Sequence, residues 1–388
     1  MGIVMKILFI THYDNMYGAN QALFHLAILL KTKYGEEPVV VVPAEGGLAK
    51  RLAEAGIQVI VHPVTQWQAV YSTPFRFLVK KTARKRKLKK EVESLYQKIC
   101  EEENFGKKPD LIYSNSSVVG TGALLAEKLR CRHIWHIREF SWEHFHMKYF
   151  YLRKMVCRLY EQSECLVTIS DALKENYQKR YPDAKIRRIY DGVSGEYFVK
   201  EKIPAGRPIR FCYIGYLFPM KHQEQILEAC ECLNQEGLTE YEVYLVGDGR
   251  EGYRDSLQGK IAQAGLSQVK MTGYRTDVHD LLDTMDVGLI ASEYEGFGLV
   301  TVEYMLHGMP VIGRNSGGTS EIIKDQVTGY LYDETEGLVK AMKRLMQHPE
   351  EIGKLGKAGA ERARERFSEE RNAEEIAGLI CEVCKTPE

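Results

Sequence analysis

The stretch Ser292–Glu303, SEYEGFGLVTVE, decides the fold of the second half of the chain. A Gly-Phe-Gly turn follows Glu295, and an apolar run of helical spacing begins near Leu299. The pattern therefore predicts a loop followed by a helix. The first N–H groups of that helix have no partner within the helix and carry the positive end of its dipole. A helix start of this kind is a binding site for an anion such as a phosphate.

Seven residues separate Glu295 from Glu303. A retaining glycosidase holds its two carboxyl groups about 5 Å apart, and a helix that rises about 1.5 Å per residue sets these two farther apart. We therefore expect separate roles. One carboxylate lies near a reacting centre, and the other accepts hydrogen bonds from a diol.

Short apolar runs alternate with segments of helical period along most of the chain, from MKILFIT at the start to PVIGRN at 310–315. Such runs, separated by helices, indicate parallel sheets covered on both faces. The pattern restarts after 191–208, a stretch without periodicity that we interpret as a linker. We predict two Rossmann-like, doubly wound domains over 1–195 and 205–369. They would face a central cleft, and a C-terminal helix at about 370–388 would complete the first domain.

Composition excludes several classes of function. Lys plus Arg and Asp plus Glu number 53 each in 388 residues, so no overall charge favours nucleic acid. Of the nine cysteines, only Cys381 and Cys384 have the C-x-x-C spacing. The second pair that a zinc site needs is absent from the sequence. No apolar run reaches the roughly 18 residues of a membrane span. These features are typical of a cytoplasmic protein with reduced thiols.

Two further segments could meet a phosphate. Gly18 and Ala19 open a helix after the first predicted strand, and a small residue there lets backbone N–H groups approach an anion. Lys221 stands at the start of another helix, where a cation is unfavourable unless an anion neutralises it. A loop with a glycine kink and a solvated surface lysine are the simpler alternatives.

One glycine motif is better explained by structure than by a cofactor. Gly247, Gly249 and Gly252 have the G-x-G-x-x-G spacing of dinucleotide-binding proteins. The acidic residue that should end the next strand is absent, because that strand ends in Gly273 and Tyr274. A tight turn between strand and helix accounts for the glycines, and we expect no cofactor.

The stretch from Ser292 to Leu331, with its E-x7-E block and its Gly317–Gly318 turn, closely resembles the signature of the retaining, nucleotide-sugar-dependent glycosyltransferases of the GT-B fold, glycosyltransferase family 4 or group 1. The resemblance implies that Glu295 lies near the transferred sugar and that Glu303 binds the ribose hydroxyls. It implies a catalytic-cleft role for His136, which would contact the donor sugar or shape the acceptor side. The remaining donor-binding positions that it implies are Gly18, Ala19, Lys221, Tyr274, Arg275, Phe297, Gly298, Leu299 and Val300.

One position departs from the family pattern. Members carry an Arg after the glycine of the strand that precedes Lys221, and this chain has Tyr216 there. Another cation, Arg275 or Arg314, would have to supply the missing charge. No D-x-D triplet is present to hold a divalent ion on a diphosphate, so we expect transfer without a metal.

The partners that follow are a nucleotide sugar, UDP- or GDP-linked, and a glycan or lipid-linked acceptor. The basic run KKTARKRKLKK at 80–90 is either a solvated helix face or a docking site on an anionic membrane surface. A sugar-nucleotide epimerase, or a non-catalytic subunit that binds sugar nucleotides, is the alternative function on the same fold.

Overall fold

A computed structural model of the protein describes residues 4–71, 74–101, 106–143, 145–193, 195 and 206–385. The chain divides into two compact units. The N-terminal unit comprises Met1–Gly192 together with Glu369–Glu388, and the C-terminal unit comprises Val193–Ser368. Most of the predicted linker, at 194 and 196–205, lies outside the described residues.

The N-terminal unit contains a parallel sheet and a small antiparallel one. Its strands are β1 (Lys6–Ile10), β2 (Glu37–Val42), β3 (Gln58–Val61), β4 (Gln68–Val70), β5 (Leu111–Asn115), β6 (Arg132–Ile137), β7 (Met147–Tyr149), β8 (Cys165–Thr168) and β9 (Ile186–Arg188). Among the described residues, seven of them pair in the order β3-β2-β1-β5-β6-β8-β9, and β4 pairs with β7. Every residue of β1 is buried, as expected for a strand with helices on both faces.

The direction of winding in this sheet reverses at β1, which pairs in parallel with β2 on one side and β5 on the other. Ligands of open α/β sheets bind at such a reversal, outside the carboxyl ends of the strands. The helices of this part of the chain are α1 (Gly18–Thr32), α2 (Gly47–Glu54), α3 (Pro74–Glu101), α4 (Gly120–Leu129), α5 (Arg153–Glu161) and α6 (Asp171–Arg180).

The C-terminal unit repeats this plan. Its strands are β10 (Ile209–Ile214), β11 (Tyr241–Val246), β12 (Val269–Gly273), β13 (Val287–Ile290), β14 (Val311–Arg314) and β15 (Gly329–Tyr332). They pair in parallel in the order β12-β11-β10-β13-β14-β15, so the winding reverses at β10. Its helices are α7 (Gln223–Gln235), α8 (Glu251–Gln263), α9 (Val278–Leu282), α10 (Leu299–Leu306), α11 (Thr319–Ile322), α12 (Thr335–Gln347) and α13 (Glu350–Arg366).

The last helix, α14 (Glu369–Lys385), belongs to the N-terminal unit. Its buried residues recur at helical spacing, and Ile376 and Ile380 join the same core as Leu23 and Leu30 of α1. A separate core fills the C-terminal unit. The prediction of two doubly wound parallel sheets is confirmed.

Helix α10, which carries Glu303, is held by a close approach of α13. A Cβ on Gly356 of α13 would lie 1.8 Å from the backbone oxygen of Gly308, which follows α10. No side chain fits there, because the obstructing oxygen belongs to the backbone and cannot rotate away.

We therefore expect Gly356→Ala to destabilise the protein by about 1–3 kcal/mol through overpacking. Gly259 lies inside α8, and a Cβ added to it would have no atom within 4 Å, so Gly259→Ala is the matched control. That variant should be neutral or more stable by up to about 1 kcal/mol, because Ala is the better helix former. Urea unfolding of both proteins measures the difference. Equal effects at the two positions would contradict the packing described.

Candidate functional site

The C-terminal unit gathers its polar loops where the winding of its sheet reverses. The loop after β10 leads through a short 3₁₀ turn, Pro219–Lys221, and the loop after β13 leads to α10. Because β10 and β13 are neighbours in a parallel sheet, both loops leave the same edge. This edge holds Lys221, Glu295 and the start of α10.

The Glu-Gly-Phe-Gly loop is packed backbone to backbone against the Gly317–Gly318 turn. The N–H of Gly318 donates to the backbone oxygen of Glu295 at 2.8 Å. A Cβ on Gly317 would lie 2.5 Å from that same oxygen, and a Cβ on Gly318 would lie 2.6 Å from the Cα of Phe297. Gly317 also has a φ of 55°, which favours glycine. Both glycines are thus required by contact with the loop, which explains why the two motifs occur together.

The start of α10 exposes unpaired backbone donors. Gly298 precedes the helix with a φ of 103°, in the region that favours glycine. The N–H groups of Gly298, Leu299 and Val300 form no hydrogen bond within the described part of the chain. Three free donors at the positive end of a helix are an anion-binding arrangement.

Lys221 and Glu295 form an ion pair at this edge, with 2.7 Å between Nζ and Oε2. Both side chains are about one-fifth exposed, at 23% and 20%. The family resemblance implies that Lys221 binds a diphosphate and that Glu295 lies near a sugar, and the structure brings the two side chains into direct contact. Glu295 therefore neutralises the lysine that stands in front of α7.

Glu303 is a half-buried carboxylate on α10. No donor in the described ranges is paired with it. Burial raises the pKa of Glu303 to about 7. Removal from water without a compensating hydrogen bond is unfavourable for a carboxylate, so its free oxygens are suited to accept from a ligand.

Three other predicted donor-binding residues have distinct environments. The Phe297 ring is buried and packs against Phe367, with 5.5 Å between ring centroids, so its side chain is part of the core. Donor binding at Phe297 stays a prediction, and in this structure only its backbone is available for it. Tyr274 is 69% exposed. Arg275 pairs with Asp277, with 2.8 Å between Nε and Oδ1.

The glycines of the G-x-G-x-x-G spacing are explained by close packing of two loops. A Cβ on Gly247 would lie 2.0 Å from the oxygen of Gly215, and one on Gly249 would lie 2.3 Å from the oxygen of Leu217. The loop after β11 thus lies directly against the loop after β10. Gly252 has no atom within 4 Å and no such constraint.

A further cation, Arg250, lies against the loop that carries Tyr216. Tyr216 is 55% exposed on the loop after β10. Arg250, which precedes α8, places its guanidinium 5.2 Å from the ring centroid of Phe218 on that loop. No ion pair of Arg250 occurs among the described residues. The G-D-G-R sequence, with a base next to the close-packed glycines, was the available signal.

The N-terminal unit has a second polar edge where its own sheet reverses. Gly18 begins α1, and the N–H groups of Gly18 and Ala19 have no partner among the described residues. Asn20 ties down the preceding loop by donating to the backbone oxygens of Tyr13 at 3.0 Å and Asn15 at 2.7 Å. The amide of Asn115, at the end of β5, donates to the oxygen of Ala19 at 3.1 Å. The start of α1 is therefore fixed to the neighbouring strand.

His136, for which the family resemblance implies a role in the catalytic cleft, has a buried and polar environment. It lies inside β6 and is fully buried. Tyr113 Oη lies 2.9 Å from its Nδ1, and Arg138 Nη2 lies 3.2 Å from the same nitrogen. Burial holds the pKa of His136 well below its usual range, so the ring is neutral. The His136 side chain has no exposed surface in this structure, and its role in a catalytic cleft stays a prediction.

The residues that follow β6 were missed by the sequence analysis. Arg138 donates to Asn115 Oδ1 at 2.9 Å and forms a buried ion pair with Asp191. Glu139, next in the chain, accepts hydrogen bonds from Ser116 and Ser117. Two adjacent charged residues after an apolar strand, WHIRE, were the signal that could have identified this edge.

The basic run 80–90 lies on α3. Its lysines and arginines are exposed or half-buried, and Leu88 is the buried side chain among them. Lys85 lies over the Tyr151 ring at 5.0 Å from its centroid. Among the described residues, no helix is both long and apolar enough to cross a membrane, and no group of three or more His, Cys, Asp or Glu side chains is placed to hold a metal ion.

Comparison with known proteins finds a glycosyltransferase family model that matches each half of the chain. The sequence model of the family described as "Glycosyl transferases group 1" matches residues 195–362, and that of "Glycosyltransferase Family 4" matches residues 30–196. Together the two matches span 30–362.

Individual relatives are similar over part of their length. The chain is 28% identical over 236 residues to the putative glycosyltransferase EpsD of Bacillus subtilis, covering 56% of this chain and 60% of that protein. It is 28% identical over 228 residues to the N-acetyl-alpha-D-glucosaminyl L-malate synthase of Bacillus anthracis, covering 56% of this chain and 58% of that protein. The chain thus spans about three-fifths of the length of these relatives.

Solved structures show the fold over the whole length. Anabaena Alr3699/HepE in complex with UDP-glucose superposes with a TM-score of 0.76 at 21% identity, covering 97% of this chain and 100% of that one. The fold is GT-B. With its two halves matched by the two family models, the chain belongs to the group 1 glycosyltransferases of glycosyltransferase family 4.

Proposed function

We propose that the protein transfers a sugar from a nucleoside diphosphate sugar, UDP- or GDP-linked, to a glycan or lipid-linked acceptor, with retention of anomeric configuration and without a metal ion. The observation that carries the proposal is the order of groups along α10. The N–H groups at its start have no hydrogen-bond partner among the described residues, and a carboxylate without a partner follows one turn farther along the helix. From Gly298 to Glu303 a helix advances about 7 Å, on the scale that separates a diphosphate from a ribose diol in one nucleotide.

Each chemical group of the nucleotide sugar has a residue suited to bind it. The N–H groups of Gly298 to Val300 and the ammonium of Lys221 would bind the diphosphate. The carboxylate of Glu303 would accept from the two ribose hydroxyls. Glu295, which contacts Lys221, would lie near the sugar. Tyr274 and Arg275 would pack against the base.

A nucleoside diphosphate is a good leaving group, so the site has to stabilise charge rather than protonate an oxygen. Preorganised backbone donors do this well, because they need no rearrangement as the charge develops. The resemblance to retaining members of the family supports departure and attack on the same face of the sugar. Arg250, next to the loop that carries Tyr216, is the cation we propose for the charge that the missing arginine would supply.

The acceptor belongs to cell-surface polysaccharide or glycolipid synthesis in this proposal, and the sugar is a hexose or an N-acetylhexosamine. The similarity to a relative named as a putative glycosyltransferase supports the transfer of a sugar. The protein would act in the cytoplasm, with α3 on the inner face of the membrane.

Incubation with a radiolabelled donor and a mixture of oligosaccharides and polyprenyl-diphosphate sugars separates the transferase from its alternatives. A transferase yields a labelled acceptor. An epimerase converts the donor into its epimer without any acceptor, and a non-catalytic subunit binds the nucleotide and does neither. Either of the last two results contradicts the proposal.

The Glu303→Gln variant tests the donor site by calorimetry with UDP-glucose and GDP-mannose. We expect one nucleotide sugar to bind the wild type equally well with and without EDTA. Loss of a charged hydrogen-bond acceptor should weaken it by about 1.5–3 kcal/mol, roughly 10- to 100-fold. Glu361→Gln, an exposed change on α13, is the matched control and should bind like the wild type. Binding that EDTA abolishes, or that survives Glu303→Gln unchanged, would refute this assignment.

The raised pKa of Glu303, about 7, gives the binding a pH dependence. In the free protein the proton stays on Glu303 below pH 7, and the ribose hydroxyls favour the ionised form. Affinity for UDP-glucose should therefore fall about 10-fold between pH 8 and pH 6, as the carboxylate takes up its proton. Glu303→Gln should flatten the profile.

Calorimetry over this pH range measures the two profiles, that of the wild type and that of the variant. A wild-type profile that matches that of the variant would show that Glu303 does not contact the donor.

Docking of α3 on a membrane is tested by sedimentation with vesicles that contain anionic lipid. Arg86, Lys89 and Lys90 are exposed on one face of the helix. Each basic residue adds about 1 kcal/mol near an anionic surface, so a triple change to Ala should weaken binding about 100-fold. Added salt should weaken it too.

A triple change to Ala at Lys340, Lys354 and Lys357, which are exposed on α12 and α13, removes the same charge elsewhere. This control should bind vesicles as the wild type does. Equal losses in the two triple variants would mean that α3 is a solvated face.

A further inference from the structure

An apolar and aromatic patch lies on the small antiparallel sheet of the N-terminal unit. Val70, the last residue of β4, is 63% exposed, and its register partner on β7 is the half-buried Met147. Trp142, on the loop that precedes β7, is 39% exposed. These three residues, together with the half-buried Tyr71, form the β4–β7 patch.

Backbone hydrogen bonds and one lysine hold the aromatic members of the β4–β7 patch together. The N–H of Tyr71 donates to the oxygen of His146 at 3.0 Å, and the N–H of His146 donates to the oxygen of Trp142 at 2.8 Å. Lys148 Nζ lies 3.6 Å from the ring centroid of Tyr71 and 5.3 Å from that of Trp142. Both rings therefore lie beside the same ammonium group, and the patch is one continuous surface.

The acidic residue of the loop before β7 is paired away from this patch. Glu143 forms an ion pair with Arg180 of α6 and accepts from the Asn176 amide at 2.9 Å. The charge that the patch presents is therefore the ammonium of Lys148. Lysines that reach the headgroups, beside Trp and Tyr rings at the boundary, are typical of a protein surface that meets a membrane.

The β4–β7 patch is continuous with the start of α3. The Tyr71 ring lies 5.6 Å from the Phe77 ring of α3, edge to face. The Phe77 ring stacks on the ring of Phe150, which follows β7, with 5.3 Å between centroids. The basic run 80–90 begins about 9 Å along α3 from the first residue of the helix. Apolar surface and basic helix are thus neighbours.

The two features supply different parts of membrane attachment. The run 80–90 holds eight Lys and Arg and no Asp or Glu. Such a run is attracted to anionic headgroups, and salt screens the attraction. Stable attachment of a peripheral protein combines a polybasic segment with an apolar group that enters the bilayer. Exposed apolar patches mark surfaces of this kind, and the β4–β7 patch lies where that second group is needed.

We propose that the β4–β7 patch inserts into the interface of an anionic bilayer while α3 lies on the headgroups. Val70 and Met147 enter the upper acyl region, the rings of Tyr71 and Trp142 lie at its boundary, and Lys148 reaches the phosphates. The proposal rests on the membrane docking of α3 proposed above, and it gives that docking an apolar anchor.

Fluorescence of Trp142 tests the insertion. Trp142 is exposed, whereas Trp67 and Trp135 are fully buried. The probes are mixed vesicles of phosphatidylcholine and phosphatidylglycerol, with and without bromine on the upper part of the acyl chains. Brominated vesicles should quench part of the wild-type fluorescence. Trp142→Phe keeps an aromatic ring and should bind without that quenching. Bound wild-type protein whose fluorescence bromine does not change would overturn the proposal.

The Val70→Ser variant tests the apolar anchor by sedimentation with the same vesicles without bromine. It should bind about 10-fold more weakly than the wild type, because one buried apolar side chain is lost. Val61→Ser is the matched control, since Val61 is 40% exposed on β3, and it should bind like the wild type. The difference between the two variants should persist at about 1 M salt, where the Debye length is about 3 Å, because apolar burial is not screened.

Unchanged thermal unfolding shows that each variant is folded. Equal binding by Val70→Ser and Val61→Ser refutes the insertion and leaves α3 to dock by charge alone. A dimer in the absence of vesicles that Val70→Ser dissociates would mean that a second copy covers the patch, and it refutes the insertion too. Transfer to a soluble acceptor is measured separately. A chain that transfers sugar and binds no vesicle keeps its proposed reaction and loses this inference.

Discussion

The backbone contact between the Glu-Gly-Phe-Gly loop and the Gly317–Gly318 turn is the constraint on which the candidate site of the C-terminal unit depends. A Cβ added to Gly317 or Gly318 would lie 2.5 or 2.6 Å from the nearest atom, a distance that leaves room for a hydrogen atom only. Neither glycine can therefore be replaced without moving the loop. That contact sets where the loop ends and α10 begins. The direction of the free N–H groups follows from it.

Two carboxylates at this edge of the C-terminal sheet, Glu295 and Glu303, differ in their pairing. Lys221 is neutralised by Glu295. Glu303 has no such partner, and its raised pKa reports a carboxylate withdrawn from water without compensation. A ligand that offers hydroxyl donors relieves that unfavourable state. The candidate site thus holds one paired carboxylate and one without a partner among the described residues.

Local patterns predicted most of the fold and the C-terminal site. Buried parallel strands appear in a sequence as continuous apolar runs, and a Gly-rich loop before a helix is a local pattern. Both β13 and α10 can therefore be predicted from the sequence alone. Tyr216 and Arg250 show the limit of such patterns. Their neighbourhood depends on how the loops after β10 and β11 pack, and spacing along the chain does not contain that information.

The N-terminal site was harder to predict for a physical reason. His136 and Arg138 are two residues apart, yet one is buried within β6 and the other lies beyond its end. A motif match fixes neither the last residue of a strand nor the face on which a side chain lies. The hydrogen bonds of Glu139 come from Ser116 and Ser117, which follow a different strand, so spacing along the chain does not reveal them.

Hydrogen exchange of the backbone amides at Gly298, Leu299 and Val300, followed by mass spectrometry or NMR as UDP is added, tests the central claim most directly. If these donors bind the diphosphate, their exchange slows on saturation with UDP, while amides of α14 exchange as before. If UDP binds and the three amides exchange at their free rate, the start of α10 is not the diphosphate site, and the account of the donor site given above is wrong.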